Sequence, residues 1–173
     1  MTIKNLGLLI GLAVGGFMAL APNAYAQKAV LLGEFTAWNA WQSNDDTGMT
    51  CYISGVPQSS LPAGANRDPI HFIIINRKAM GIPHEVQTII GYPFSTTKAN
   101  ASATVDGKSY PMVTEGPAAW LASTADEAPF VEAFKAGSKL VVKGTSQRGT
   151  TTTDTYSLSG ATAAMNAMED ACK

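Results

Sequence analysis

The stretch Ala101-Ser102-Ala103-Thr104-Val105-Asp106-Gly107-Lys108-Ser109-Tyr110-Pro111-Met112 decides the fold class. Two short runs flank an Asp-Gly pair, which suits the positive φ angles of a two-residue type I′ turn. The reading is a β-hairpin, Ala101–Val105 against Lys108–Met112. A second hairpin is expected downstream, Lys139–Thr145 against Thr150–Leu158 around Gln147-Arg148-Gly149. The threonines Thr150–Thr153 are β-branched and polar, as on a solvent-facing strand.

Working outward, the same punctuation recurs. Phe35–Trp41 alternates, with Phe35, Ala37, Asn39 and Trp41 on one face. A polar cluster, Asn44 to Gly48, separates it from a strand at Met49–Val56. Pro57–Pro69 reads as a long surface loop rich in proline and small polar residues. Ile70–Ile75 is nearly all apolar and suits a strand buried on both faces. Gly81-Ile82-Pro83 breaks the chain before Glu85–Tyr92, whose Val86, Thr88, Ile90 and Tyr92 share one side. Ala118–Leu121 is a further short strand.

Two helices follow from pattern. Asp126 caps the first and Gly137 closes it, with Pro129 in its first turn and Phe130, Val131 and Phe134 as its apolar stripe. The second spans Ser159–Cys172, where Ala161, Met165, Met168 and Cys172 fall on one face. Its methionines read as core filling. The fold class is therefore mainly β: a β-sandwich or flattened barrel of antiparallel strands with two short peripheral helices.

The chain has 173 residues, of which 46% are hydrophobic and 14% charged, with a net charge of −1. That balance excludes a disordered polyelectrolyte and a basic nucleic-acid-binding domain. Residues 1–26 carry Lys4, an apolar run Leu6–Leu20, Pro22 and then Ala24-Tyr25-Ala26. This is the pattern of a secretory signal peptide, with cleavage expected between Ala26 and Gln27. The apolar run is shorter than the roughly 20 residues that span a bilayer. Residues 27–173 are expected as one exported domain with no transmembrane segment.

Two cysteines exclude a cysteine-dense mini-scaffold and a four-thiolate zinc site. In an oxidising compartment an internal Cys51–Cys172 bridge is the default, against two free buried thiols or an intermolecular bridge. Such a bridge would tie the C-terminal helix to an early strand.

Motifs for catalysis are weak. Ser95-Thr96-Thr97-Lys98 has S-x-x-K spacing, but its setting reads as a loop and its partner motifs are lacking, since Lys143-Gly144-Thr145 is not K-T-G. His71 sits in an apolar strand and His84 in a loop, neither beside a nucleophile elbow. Glu115, Asp126 and Glu127 read as solvated carboxylates rather than an acid/base pair. Asn100-Ala101-Ser102 matches a glycosylation acceptor, a triplet common by chance. No catalytic, metal or cofactor residues are assigned. Trp38, Trp41 and Trp120 would make a carbohydrate-stacking platform if exposed together, but alternation puts Trp38 and Trp41 on opposite faces, so at most one of them belongs to such a patch. Lys143, Arg148 and Trp120 are the candidate partner-binding residues.

The chain resembles the invasion-associated locus B family of Gram-negative exported proteins. The resemblance rests on Phe35–Trp41 with Cys51-Tyr52, on Glu85-Val86 leading to Ile90-Gly91-Tyr92-Pro93-Phe94, and on Val105-Asp106-Gly107-Lys108. It continues through Thr114-Glu115-Gly116 before Trp120, the run Gly137–Gly160 and Cys172, so it covers Gly33–Cys172. It implies a β-rich sandwich, an association with entry into host cells, and a periplasmic or outer-membrane-associated location. It supplies no catalytic residues. Some members carry an extra early cysteine, and its absence here favours the single Cys51–Cys172 bridge. Relatives in free-living bacteria make a general envelope role as plausible as a virulence role. The expected function is thus binding, to an unidentified envelope or host protein through a sheet face or by strand addition. The alternative is an envelope hydrolase acting on glycan or peptide, with a carboxylate pair in a cleft beside Trp120.

Overall fold

The computed structural model describes residues 28–45, 48–97 and 101–173. The signal segment, including Ala24, Ala26 and Gln27, lies outside them, as do Lys98 and Asn100. The described chain forms eleven strands: β1 Val30–Phe35, β2 Trp38–Asp45, β3 Gly48–Gly55, β4 Ser59–Leu61, β5 His71–Arg77, β6 Ile82–Ile89, β7 Ala101–Val105, β8 Lys108–Glu115, β9 Ala118–Leu121, β10 Lys139–Thr145 and β11 Thr151–Ser157. The helices are α1 Glu127–Ala136 and α2 Ala161–Ala171.

All strands join one antiparallel sheet in the order β1-β2-β3-β5-β6-β9-β8-β7-β10-β11-β4. The sheet is open, with β1 and β4 at its ends, and its two halves fold toward each other as in a sandwich. The Trp38 indole N–H on β2 donates to the Ser157 carbonyl on β11 at 2.9 Å, across that fold.

Trp38, Phe72 and Tyr156 from the sheet meet Phe130 and Phe134 of α1 in one aromatic cluster. Edge-to-face and offset pairs of this kind add to simple area burial. Phe130, Val131 and Phe134 are the buried stripe of α1, as their spacing predicts. On α2, Ala161, Ala164, Met165 and Met168 are buried, and Cys172 at its end bonds Cys51 of β3 with Cα atoms 6.0 Å apart. The methionines are core.

The Asp106-Gly107 hairpin forms in the expected register, Val105 opposite Lys108, with φ of 43° and 96° at the two turn residues. The Asp106 carboxylate also accepts from the backbone N–H groups of Ser138 and Lys139, at 2.7 and 3.0 Å, joining this hairpin to the next.

Several expectations change. Phe35–Trp41 is not one strand: the chain reverses at Thr36 and Ala37, with Phe35 opposite Trp38. Thr36 takes φ 55° there, a conformation its β-branched side chain does not advertise. The Pro57–Pro69 loop contains the short strand β4, which pairs β11. In β5, Phe72 and Ile74 are buried on one face, while on the other Ile75 is buried and His71 and Ile73 are half-buried, so that face is only partly covered. Thr152 lies inside rather than facing solvent. His84 belongs to strand β6, which begins at Ile82 and accommodates Pro83 near its start. Asp126 makes no side-chain cap to α1, whereas Ser123 Oγ accepts from Ala125 N–H in a preceding 3₁₀ turn.

Candidate functional site

Asp154 sits on β11 at a position that alternates with Thr152 and Tyr156, and all three point into the core. A carboxylate taken out of water needs a paired cation and further hydrogen bonds. Arg67 supplies them from the Pro57–Pro69 loop. Its Nη1 and Nη2 donate to Asp154 Oδ1 and Oδ2, each at 2.7 Å. Its Nε and Nη2 donate to the Ile90 carbonyl at 2.9 and 2.6 Å. The side chains are 5% and 0% exposed. The guanidinium also stacks against Tyr92, 5.1 Å from the ring centre. The Tyr92 hydroxyl pairs with Thr152 Oγ1 at 2.7 Å. Burial raises the Tyr92 hydroxyl pKa; the Thr152 hydrogen bond and the Arg67 charge oppose that, and the Asp154 charge adds to it.

This arrangement pins the loop to the sheet. Asp68 N–H donates to Gly91 O at 2.9 Å. Gly91 has φ +79°, and a Cβ there would run into the Asp68 carbonyl, so the close seating requires glycine. A third segment locks onto these two. Gln147 N–H donates to Pro93 O at 3.1 Å, and Ser95 N–H to Thr145 O at 2.8 Å. The turn itself is closed by Ser146 N–H to Thr150 O and Gly149 N–H to Ser146 O, both 2.9 Å.

Between the three segments lies a groove of about 560 Å³. Its rim carries Asn66, Asp68, Gln147 and Arg148, and its floor Tyr92 and Thr152. On the other side of the Arg67 loop a more apolar depression is lined by Val56, Pro57, Pro69 and Ile70.

Of the candidate partner-binding residues, only Arg148 lines the groove. Lys143 is exposed on β10, opposite Ser102 and Thr153. Trp120 is on β9, opposite Gln87 and Val113, three strands from β10 in the sheet order. At the usual strand spacing that is roughly 14 Å. Spacing alone missed Arg67 and Asp154. The available signal was Asp154 itself, an acid at an inward position of a strand.

The titratable side chains gather elsewhere, where β6 meets the helices. His84 Nε2 lies 3.2 Å from Glu169 Oε1, which also accepts from Lys135 Nζ at 2.8 Å. His84 is thus held by a partner rather than solvated. Burial acts to raise the Glu169 pKa, but the hydrogen bonds and charges of Lys135 and His84 outweigh it and hold the carboxyl below its ordinary range. Glu127 is raised, by burial first and then by Glu85, with His84 opposing. Glu85 in turn pairs with Arg77 Nε at 3.1 Å. The acid/base candidates are therefore distributed differently from their sequence order: Glu127 interacts with Glu85 and His84, while Glu115 ends β8 opposite Ala118. Among the described residues, no group of three or more His, Cys, Asp or Glu side chains is placed to hold a metal ion. No helix among them is long and apolar enough to cross a membrane.

A disulfide-closed antiparallel sandwich with a polar groove beside a buried ion pair is the class of molecule these features define. The family described as invasion associated locus B (IalB) protein matches residues 43–169, and the chain belongs to that family. Invasion associated protein b from Bartonella henselae, a crystal structure, shares the fold with a TM-score of 0.58 and 14% sequence identity. The alignment covers 82% of this chain and 97% of that one. A search of curated proteins finds no match.

Proposed function

We propose that this is an exported envelope protein that acts by binding rather than catalysis, in host-cell invasion or in envelope maintenance. The groove between residues 62–68, 91–93 and 146–152 is its binding site. The observation that carries this reading is the pre-formed, hydrogen-bonded groove. A site whose walls are already fixed loses little conformational entropy when it is occupied. The ion pair beneath it is engaged on both sides, which fits a scaffold better than a proton-transfer group. Export is supported by the signal-like N-terminal segment together with the Cys51–Cys172 bridge. The family's association with invasion supports a role at the cell envelope.

The test is co-sedimentation of the protein with a purified cell-envelope fraction. Asn66→Trp fills the groove from an exposed loop position and leaves the ion pair intact. The wild type is expected to sediment with the envelope and the variant to stay in the supernatant, with unchanged thermal unfolding. Equal sedimentation of both proteins would remove the groove as the site.

A further inference from the structure

Resting on that reading, we infer that the groove takes a neutral, hydroxyl-rich oligosaccharide. Three features converge on this class of ligand.

The first is the chemistry of the rim. Asn66, Asp68, Gln147 and Arg148 are all exposed and all end in planar polar groups. An amide presents a donor and an acceptor side by side, and a guanidinium presents parallel donors. Such pairs match vicinal hydroxyls, each of which both donates and accepts. Below them, four of the five Arg67 N–H groups have acceptors among the described residues, and Arg67 also lines the groove.

The second is charge. Asp68 offsets Arg148 at the rim, and Asp154 offsets Arg67 beneath it. The groove holds no excess of either sign to select an anionic or cationic ligand.

The third is the backbone. A peptide bound by strand addition needs an unpaired strand edge. The walls of this groove are two loop segments and a turn; β11 beside it is paired by β10 along its length and by β4 at Thr153–Thr155, so at most the short edge at Thr151 and Thr152 faces the groove. The volume, about 560 Å³, falls within the range of about 300–1,000 Å³ usual for small-ligand sites.

Binding of chitotetraose, cellotetraose and maltotetraose to the mature protein, followed through backbone amide NMR shifts, tests the inference. Trigalacturonate and a Gly-Ser peptide serve as contrasts. At least one neutral tetrasaccharide is expected to saturate, with shifts confined to residues 62–68, 91–93 and 146–152. Gln147→Ala and Arg148→Ala are each expected to weaken it by about three- to tenfold. Affinity should be unchanged by added salt, as no net charge is matched. Failure of all three neutral sugars to shift these amides, or tighter binding of trigalacturonate or the peptide there, overturns the inference. If Asn66→Trp loses envelope binding while no neutral sugar binds, the groove stands as the site and the sugar falls.

Discussion

Arg67 reaches Asp154 across 87 positions of sequence, and the pair fixes a loop that composition alone describes as irregular. Removing one member leaves the other charged and buried. Arg67→Met is therefore expected to destabilise the fold by about 3–5 kcal/mol, whereas Arg67→Met with Asp154→Leu should recover most of that loss. Urea unfolding of the two single variants and the double variant reads the difference; a double variant as unstable as Arg67→Met would mean the pair matters for more than charge balance. A signal for the acid lay in the sequence, since Asp154 shares a strand face with Tyr156, but the threonine run before it reads as solvent-facing and masks it. Its partner left no signal, since nothing local distinguishes Arg67 from any other cation in a proline-rich loop. The same blindness affected Thr152, which looks solvent-facing in a threonine run and is instead buried against Tyr92.

Elements whose signals are local were read well. The Asp106-Gly107 hairpin, β9, β10 and the apolar stripes of both helices follow from turn chemistry or periodicity within a few residues. The reversal between β1 and β2 escaped because alternation continues through Thr36 and Ala37, and neither is a usual turn residue. The meeting of β6 with α1 and α2 was equally invisible, for it joins His84, Lys135 and Glu169 from distant parts of the chain. It makes a pH prediction. The Glu169 pKa is lowered on folding, so its contribution is present above its unfolded value and disappears as pH falls through the folded one. Glu169→Gln should lower the melting temperature at pH 7, modestly because the group is a third exposed to solvent. The gap to wild type should close once the carboxylate is protonated. A gap that persists in acid would assign the effect to packing.

For the molecule as a whole, the bridge between β3 and the end of α2 spans 121 positions. In the chain-entropy description a loop of that size gives about 4–5 kcal/mol, an upper figure since measured gains are often smaller. Cys51→Ser with Cys172→Ser is expected to lose at least half of this in denaturant unfolding. An unchanged midpoint would show that the sheet and helices suffice alone.

The two ends of the sheet have a different consequence. β4 is three residues long and is followed by Pro62, while β1 has a bulge between Leu31 and Gly33 and carries exposed Glu34. Short strands, prolines, bulges and outward charges are the devices that stop one sheet from templating the next. An open antiparallel sheet leaves two edges at which copies could otherwise pair end to end. Blunted in these ways, the two edges work against strand pairing between copies, β4 more fully than β1, where Val30 and Leu31 remain exposed.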